Sequence, residues 1–353
     1  MSDNIDSHKI RIGISAGDLN GVGMEIILKT LSDKRINEMM TPIIFGSSSV
    51  LSYNRKTLNF KDIPVKIIKQ WNEVRNDQAN LFDCIDSQPK IEVGQSTRDG
   101  GQFAYESLKS AADALENGHI QALVTAPIDK HNIQSEEFKF PGHTEFLGKR
   151  FGQGKSLMIL CRDEFRVALV TGHVPLSQVE PLITSQSIGE KLKLFEHSLR
   201  LDFGLERPRI AVLGLNPHAG DQGLIGDTEE KITGPTVKKH FENGMLVFGP
   251  YAADGFFGSQ KHKNFDGVLA MYHDQGLVPF KALNFGGGIN FTAGLPVVRT
   301  SPDHGTAYDI AGKGIANEES FREALYMAKD IFVRRSRHRE WAKNPLIKQE
   351  EVK

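Results

Sequence analysis

The sequence contains very little cysteine. Cys84 and Cys161 are the two cysteines among 353 residues, and they lack the CxxC spacing of a thiolate metal site. Two thiols are too few for a disulfide framework, so the chain is expected to fold in a reducing compartment. Both are predicted to be small buried residues rather than metal ligands.

Long hydrophobic runs and an excess of charge are also missing. No stretch of about 18 apolar residues, the length typical of a membrane span, occurs in the chain, and MSDNIDSHK has no apolar core of a signal peptide. The 43 Lys and Arg nearly balance 44 Asp and Glu, so the net charge is -1. A chain with this balance has no net electrostatic field that would attract nucleic acid or a membrane surface. The expected location is the cytoplasm.

What the sequence has instead is a regular alternation of short apolar runs and helical patterns. An apolar stripe from Phe103 to Leu115 predicts one helix that Gly118 would end. The carboxyl-terminal tail predicts another, a charged helix with solvated arginines that ends near Pro345. The alternation predicts an α/β fold with a mostly parallel sheet covered by helices on both faces. The apolar runs lie at 9–15, 41–46, 63–69, 120–127, 165–173, 208–218 and 265–273.

Three of the apolar runs end in a histidine, at His173, His218 and His273. Ligands of parallel sheets bind beyond the carboxyl ends of the strands, where the loops converge, so the three imidazoles are predicted to be neighbours. Three imidazoles and an open position are typical of a catalytic site for a zinc-class ion. The alternative for each is a hydrogen bond to the backbone, and no HExxH motif supports the metal site.

The glycine-rich segment SAGDLNGVGMEI, residues 15–26, leads from a predicted strand into a helix. Its amides could contact a ligand at the helix amino terminus, or its glycines could simply form a tight turn. The segment matches neither GxGxxG nor a P-loop, so the pattern leaves both interpretations open.

A second group of residues could bind a small phosphate. His143 and Thr144 lie in PGHTEFL, just before an apolar pattern, where Thr144 could equally cap a helix. Lys281, Asn290 and Arg299 bracket the glycine-rich segment NFGGGIN, which is expected to be flexible. Lysine and arginine are natural phosphate partners, and the alternative for each is an ordinary surface charge.

Taken in order, the motifs resemble those of the 4-hydroxythreonine-4-phosphate dehydrogenase family, in the isocitrate/isopropylmalate dehydrogenase-like superfamily. GDLNGVGMEI is similar to the family's opening GDPAGIGPE. The resemblance spans residues 9–330 and includes VTAPIDK, PGHTEFL, VTGHVPL, GLNPHAGDQGLIGD, GPYAADGFF and YHDQGLVPFKAL. HGTAYDIAGKGIAN, here called the 304–317 loop, is similar to the superfamily motif HGSAPDIAGKGIAN, which binds the adenosine part of a dinucleotide.

The resemblance implies two α/β/α domains with mostly parallel sheets and an active site in the interdomain cleft at a homodimer interface. Residues 1–130 with 300–353 would form the domain that carries the 304–317 loop. Residues 131–299 would carry the metal ligands and the dimer contacts. Because the site lies at the interface, the metal ligands need not all come from one chain.

The resemblance also implies roles for individual residues. Asp274 and Asp254 are both candidates for the general base, and the alternative role of Asp274 is to orient the imidazole of His273. The expected metal ligands are His173, His218 and His273, and the expected catalytic residues are Asp254, Asp274 and Lys281. The expected substrate contacts are His143, Thr144, Lys281, Asn290 and Arg299, and the expected cofactor contacts are His304, Gly305, Asp309, Ile310 and Asn317.

The implied reaction is the oxidation and decarboxylation of 4-phosphooxy-L-threonine to 3-amino-2-oxopropyl phosphate, in pyridoxal phosphate biosynthesis. NAD or NADP would accept the hydride, and one zinc, magnesium or cobalt ion would lower the pKa of the reacting hydroxyl. The chain departs from the family pattern at Leu19, Asn20, Met24 and 221–224. Related enzymes oxidise 4-phospho-D-threonate or 4-phospho-D-erythronate, which therefore stay as alternative substrates.

Two other functional classes compete with this interpretation. A three-histidine metal hydrolase would need no dinucleotide, and saturable NAD binding that is lost in Asp309→Ala would reject it. A phosphometabolite-binding module without catalytic activity is the other class, and the complete set of three histidines and the intact 304–317 loop argue against it.

Overall fold

A single mixed sheet forms the centre of the molecule in the computed structural model, which describes residues 9–60, 62–152, 156–284 and 286–343. The predicted helix end at Pro345 lies outside these residues. The strands are β1 (Arg11–Ser15), β2 (Thr41–Gly46), β3 (Val65–Ile68), β4 (Ala79–Asp83), β5 (Ala122–Thr125), β6 (Leu157–Arg162), β7 (Phe165–Leu169), β8 (Ile210–Leu213), β9 (Val247–Tyr251), β10 (Gly267–Ala270), β11 (Ile289–Ala293) and β12 (Val298–Pro302).

Helices cover the sheet. They are α1 (Gly23–Leu31), α2 (Arg35–Met39), α3 (Ser48–Thr57), α4 (Arg98–Glu116), α5 (His143–Phe151), α6 (Val179–Leu182), α7 (Ser185–Leu201), α8 (Gly234–Glu242), α9 (Ala253–Gly258), α10 (His273–Leu283) and α11 (Glu319–Trp341). Short turns of 3₁₀ helix add Trp71–Glu73, Leu176–Gln178, Pro217–Gly220 and Lys261–Asn264.

The strand order is β3-β4-β2-β1-β5-β12-β11-β6-β7-β10-β8-β9. Most pairings are parallel, which confirms the predicted α/β fold with a large, mostly parallel sheet. The antiparallel pairings involve β6 and β11, and β11 pairs with β12 to join the two halves of the sheet. Residues 11–125 with 298–302 form one half and residues 157–293 form the other, while the exact domain boundaries stay a prediction.

Every apolar run of the sequence contains a strand, and all of these strands except the edge strand β3 are largely buried. The pattern missed five strands: β4, β6, β9, β11 and β12. Of these, β9 contains Pro250, and β12 contains Arg299 and ends in Pro302, which are residues that weaken a strand signal. Ile289 and Asn290 belong to β11, so the end of NFGGGIN is a paired strand rather than a flexible loop, and Phe285 lies outside the described residues.

Helix α4 illustrates how local sequence sets an element boundary. The Thr97 hydroxyl accepts a hydrogen bond from Gly100 N, at 3.1 Å, and so caps the first turn. The chain leaves the helix at Gly118, whose φ of 73° confirms the predicted end. The apolar face of α4, with Phe103 and Leu108, is fully buried against β1 and β2.

One prediction for the carboxyl-terminal helix was wrong. Arg335 of α11 is not solvated but 9% exposed, and its Nε donates to Asp202 Oδ1 at 2.6 Å. The helix packs across the sheet and brings this arginine beneath α7, a contact that charge pattern alone does not reveal. No helix of the described part of the chain is both long and apolar enough to cross a membrane.

Both cysteines are free. Cys161 of β6 is buried, as predicted, and burial raises the pKa of its thiol to about 12. Cys84, directly after β4, is half-buried rather than buried, and burial raises the pKa of its thiol to about 11. Neither thiol is a ready metal ligand at neutral pH, since the thiolate is the ligand form.

Candidate active site

A cleft of about 450 Å³ opens beyond the carboxyl ends of the central parallel strands. Both halves of the sheet contribute to it, with Thr125 and Arg299 from one half and His173 and His273 from the other. The antiparallel strands β6 and β11 form its floor with Met158, Leu160 and Asn290.

Arg299 is the most unusual residue of the cleft. It is 2% exposed, and among the described residues no carboxylate lies within ion-pair distance of it. Its guanidinium donates to the hydroxyls of Thr125 at 2.6 Å and 3.2 Å, Thr292 at 3.2 Å and Thr144 at 3.4 Å. Burial lowers its pKa to about 10, so it stays charged at neutral pH. A buried cation held by neutral hydroxyls is suited to bind an anion.

Three buried polar atoms of cleft residues have no hydrogen-bond partner within the described part of the chain: His143 Nε2, Asn290 Oδ1 and His304 Nε2. Buried polar groups are almost always paired in folded proteins, so such atoms mark positions for a ligand or water. The three atoms and Arg299 lie around one space, which is therefore a polar binding site.

Protonation of His143 is expected to destabilise the fold at acid pH. Burial and the nearby cations Arg299 and Lys130 lower the pKa of its imidazole well below 6.5. Between that lowered pKa and 6.5, the unfolded chain binds a proton at His143 that the folded chain does not bind. The free energy of unfolding therefore falls as pH falls through this window, by up to about 1.4 kcal/mol per pH unit.

Urea unfolding of His143→Gln and wild-type protein, at several pH values from about 5 to 7, checks this expectation. The variant should lose less stability at acid pH than the wild type does. His197→Gln, at an exposed position of α7, is the matched control and should keep the wild-type slope. Equal slopes for all three proteins would contradict the expectation.

Helix α10 presents one face to the cleft. His273, Leu277 and Lys281 follow the i, i+4, i+8 spacing that places side chains on the same side of a helix, and all three line the cleft. Lys281 Nζ lies 3.4 Å from Asp303 Oδ1 and donates to the Asp303 carbonyl at 3.3 Å. Burial raises the pKa of Asp303, and Lys281 opposes that rise.

His173 and His273 come together in the cleft, with ring centroids 5.5 Å apart. Asp274 Oδ1 lies 2.7 Å from Nδ1 of His273, which leaves Nε2 of that ring available to a ligand. On the other ring, Glu145 Oε1 lies 3.7 Å from Nδ1 of His173, and this proximity lowers the pKa of Glu145. Each imidazole therefore has a carboxylate beside it.

The third histidine does not join this pair. His218 is exposed on the Pro217–Gly220 turn and does not line the cleft, although β7, β10 and β8 are adjacent strands. Across the described ranges, no group of three His, Cys, Asp or Glu side chains could hold a metal ion. The expectation that one chain brings all three imidazoles together was therefore wrong. His218 and the following residues to Gly223 have φ between 44° and 86°, so the chain after β8 runs through a left-handed turn whose course the strand ends do not set.

Asp254 also lies outside the cleft. It is exposed on α9, which packs against the Pro217–Gly220 turn. His218 and Asp254 thus lie on neighbouring surface elements. Ile225 N donates to the Gly220 carbonyl of the same turn at 3.0 Å, and the apolar side chains of Leu224 and Ile225 are exposed.

The 304–317 loop meets the cleft at its beginning. His304 and Gly305 line the cleft, whereas Asp309 and Asn317 are exposed beyond it. Ile310 is half-buried and packs on the hydrophobic core. The unpaired Nε2 of His304 and the open approach to Gly305, where an added Cβ would meet nothing within 4 Å, leave room for a ligand here.

Several cleft residues were not predicted: Thr125, Lys130, Glu145 and Asp303. The first three lie in VTAPIDK and PGHTEFL, motifs that the sequence already showed, and Asp303 immediately precedes the 304–317 loop. The suggestion that Thr144 caps a helix was wrong, because the residue before α5 is Gly142 and Thr144 lies within the first turn.

Known proteins are similar in sequence to this chain over most of its length. The family model described as pyridoxal phosphate biosynthetic protein PdxA matches residues 38–328. A 4-hydroxythreonine-4-phosphate dehydrogenase from Bacteroides thetaiotaomicron is 52% identical over 346 residues, which are 98% of this chain and 95% of that protein. A protein of Oceanobacillus iheyensis, provisionally named D-threonate 4-phosphate dehydrogenase, is 38% identical over 92% of this chain and 98% of its own length.

Solved structures share the fold. The crystal structure of 4-hydroxythreonine-4-phosphate dehydrogenase from Klebsiella pneumoniae superposes with a TM-score of 0.78 at 33% identity, over 92% of this chain and 98% of that one. A terephthalate 1,2-cis-dihydrodiol dehydrogenase from Burkholderia xenovorans has a TM-score of 0.60 at 23% identity, over 91% and 98% of the two chains, which shows a common fold alone.

Proposed function

Because the chain belongs to the pyridoxal phosphate biosynthetic protein PdxA family, we propose that it oxidises and decarboxylates 4-phosphooxy-L-threonine to 3-amino-2-oxopropyl phosphate. The substrate carries a phosphate at one end, a carboxylate at the other and a hydroxyl β to the carboxylate. Such a molecule needs cationic groups for its anionic ends and a site for chemistry between them.

The observation that carries this proposal is the buried guanidinium of Arg299, which is held by threonine hydroxyls and has no carboxylate partner among the described residues. A phosphate placed against it would gain a planar pair of charge-assisted hydrogen bonds. His143 Nε2 and Asn290 Oδ1 lie in the same cleft without partners, and a phosphate monoanion or a hydroxyl could satisfy them. Lys281 and Thr144, also in the cleft, would complete the substrate contacts.

His173 and His273 would hold a divalent metal ion, and Asp274 would orient His273 through the 2.7 Å contact to Nδ1. Two imidazoles in a polar cleft fit part of a three-histidine site for zinc, cobalt or a similar ion. When bound, the ion would act as Lewis acid on the reacting hydroxyl, and a nicotinamide would accept the hydride. A group near that hydroxyl must take its proton, and the exposed Asp274 carboxylate and Lys281 line the cleft at this point.

The 304–317 loop would bind the adenosine part of the dinucleotide. His304 and Gly305 lie at the cleft, and the exposed Asp309, Asn317 and half-buried Ile310 continue away from it along one surface. The carboxylate of Asp309 would accept hydrogen bonds from ribose hydroxyls and would repel a ribose phosphate, which favours NAD over NADP.

A second copy of the chain would supply His218 and Asp254, so that the working unit is a homodimer with shared active sites. Both residues are missing from the cleft of their own chain and lie close to one another on its surface. The neighbouring side chain of Leu224 is 81% exposed, as expected for a residue that contacts a partner.

4-Phospho-D-threonate is the second candidate substrate. The similarity to the Oceanobacillus protein supports it, as does the sequence Asp221-Gln222-Gly223-Leu224, which departs from the family pattern beside His218. This molecule carries a hydroxyl in place of the amine, so the two candidates differ in charge at one position. 4-Phospho-D-erythronate differs in the same way.

Parallel assays decide among these substrates. We expect NADH formation from 4-phosphooxy-L-threonine in the presence of zinc, cobalt or magnesium, and little or none without a divalent ion. The same assay with 4-phospho-D-threonate and 4-phospho-D-erythronate, compared by kcat/KM, identifies the preferred substrate. Absence of NADH formation from all three with every metal would reject the proposed reaction.

A further inference from the structure

The opening segment SAGDLNGVGMEI does not line the cleft but packs against the 304–317 loop. We propose that the opening segment and helix α1, here together called the mount, hold the 304–317 loop in a fixed position. Tyr308 and Lys29 would then be positioning residues for dinucleotide binding. The inference rests on the proposed function, because it takes the 304–317 loop to be the cofactor site. It also resolves the two interpretations of the opening segment in favour of a structural role toward another loop.

Tyr308 fastens the first part of the loop. Its hydroxyl donates to Asp18 Oδ2 at 2.9 Å and lies 3.3 Å from Asp129 Oδ2. Asp18 belongs to the opening segment and is 1% exposed, whereas Asp129 follows β5. One phenol hydroxyl therefore bridges the loop to two separate parts of the chain. Burial and the two carboxylates raise the pKa of Tyr308, which keeps its proton in place as the donor.

The backbone reinforces this contact. Val22 N donates to the Thr306 carbonyl at 3.0 Å. Gly21 allows the approach, because a Cβ at this position would lie 2.8 Å from the same carbonyl oxygen. Gly21 thus admits the backbone of the 304–317 loop, whereas the glycines of a phosphate-binding segment would admit a ligand.

Lys29 and Glu25 of α1 fasten the far end of the loop. Lys29 Nζ donates to the carbonyls of Gly314 at 2.9 Å and Ala316 at 2.5 Å, and it pairs with Glu25 at 3.1 Å. Glu25 Oε1 in turn accepts a hydrogen bond from Ala316 N at 2.8 Å. Helix α1 therefore satisfies three backbone groups of a loop that has no regular hydrogen-bond ladder of its own.

The mount leaves the opposite side of the loop free. Ala311 and Ala316 are buried toward the core, whereas Asp309, Lys313 and Ile315 are exposed. A dinucleotide would meet these outward groups and pay no ordering cost for the backbone that carries them. If the mount were loosened, the binding-competent fraction of the loop would fall, and the apparent Kd would rise in proportion.

Tyr308→Phe tests the proposal with little risk to the fold. Without the phenol hydroxyl, Asp18 keeps its bonds from Asn20 N and Asn132 Nδ2, both at 2.8 Å. Asp129 keeps its bonds from Ser96 Oγ at 2.5 Å and His131 N at 2.8 Å. Both carboxylates keep hydrogen-bond donors, so the substitution removes one attachment of the loop without leaving a buried carboxylate unpaired.

Two measurements are made on the full-length protein. Hydrogen exchange of residues 304–317 in ligand-free protein should become faster in Tyr308→Phe, since the loop opens more often. The Kd and KM for NAD should rise severalfold, up to the roughly tenfold that corresponds to a lost hydrogen bond to a charged group, because the binding-competent fraction of the loop falls. The kcat at saturating NAD should change little. Lys29→Met, at the other end of the loop, should act in the same direction.

Tyr53→Phe, at an exposed position of α3, is the matched control and should leave exchange and NAD binding unchanged. Unchanged exchange of the loop in both Tyr308→Phe and Lys29→Met would overturn the proposal that the mount holds the loop in position. Faster exchange with an unchanged Kd would overturn its role in positioning the cofactor. If wild-type protein itself fails to bind NAD, the proposed function fails, while the exchange data still decide whether the mount exists.

Discussion

Arg299→Met is expected to lower kcat/KM for the phosphorylated substrate by roughly 30-fold to several thousandfold. This range corresponds to the loss of about 2–5 kcal/mol, the usual effect of removing one partner of a buried charge pair. The phosphate would remain in the cleft without its bidentate partner, and neutral threonine hydroxyls would not replace the lost charge. Steady-state kinetics at saturating NAD and metal measure the effect.

The same substitution is expected to leave the stability of the ligand-free protein unchanged or slightly raised. Burial lowers the pKa of Arg299 from 12.5 to about 10, which corresponds to a cost of about 3 kcal/mol for the charged form. Methionine removes this cost and loses the hydrogen bonds to three hydroxyls, each worth about 1 kcal/mol. The two effects nearly cancel, so this variant should lose activity without a loss of stability.

Arg335→Met is the matched control, because Arg335 is also buried but has a carboxylate partner. Its removal would leave the buried Asp202 without its 2.6 Å ion pair, and such a break costs about 3–5 kcal/mol of stability. Thermal and urea unfolding should therefore show a large loss in Arg335→Met and none in Arg299→Met. Arg335 lies outside the cleft, so the KM of the folded fraction should stay near that of the wild type.

Arg299→Lys gives a further comparison. Lysine keeps the charge but lacks the planar fork, so partial recovery of kcat/KM relative to Arg299→Met is expected. A wild-type kcat/KM in Arg299→Met would show that the phosphate binds elsewhere. A severe loss of stability in that variant would show instead that the guanidinium is mainly a structural group.

His218→Ala and His273→Ala are each expected to be nearly inactive, with activity losses greater than the roughly 10- to 100-fold typical of changes to outer-shell metal partners. When the two inactive proteins are mixed under conditions that exchange subunits, activity should return. A mixed dimer would contain one site with both variant residues and one site with neither. Random exchange makes half of the dimers mixed, so about a quarter of wild-type activity is the expected maximum.

Complementation distinguishes a shared site from a site built within one chain. His173→Ala mixed with His273→Ala is the matched control, because these two residues line the same cleft and no mixed dimer would regain an intact site. Metal content of the separate and mixed proteins gives a second readout. A failure of His218→Ala and His273→Ala to complement, with subunit exchange demonstrated, would contradict the shared site.

Much of the candidate site was already present in the sequence as a list of residues. His143, Thr144, Lys281, Asn290 and Arg299 all line one cleft, and their motifs also carried the family resemblance that the comparisons confirm. The strand-end rule placed His173 and His273 together because both follow parallel strands of one half of the sheet. It failed for His218, since the rule describes where strands end and not where the following turn leads.

The sequence by itself determined the alternation of strands and helices, the family, and which side chains are candidates for chemistry. These properties depend on local composition and on the order of motifs along the chain. Only the tertiary structure decided that Arg299 is buried without a carboxylate partner among the described residues, and that Arg335 is buried with one. Tertiary structure also decided that Asp18 and Tyr308, 290 positions apart, share a hydrogen bond. The reason is that burial and partnership are set by contacts between distant segments, and such contacts leave no local pattern in the order of residues.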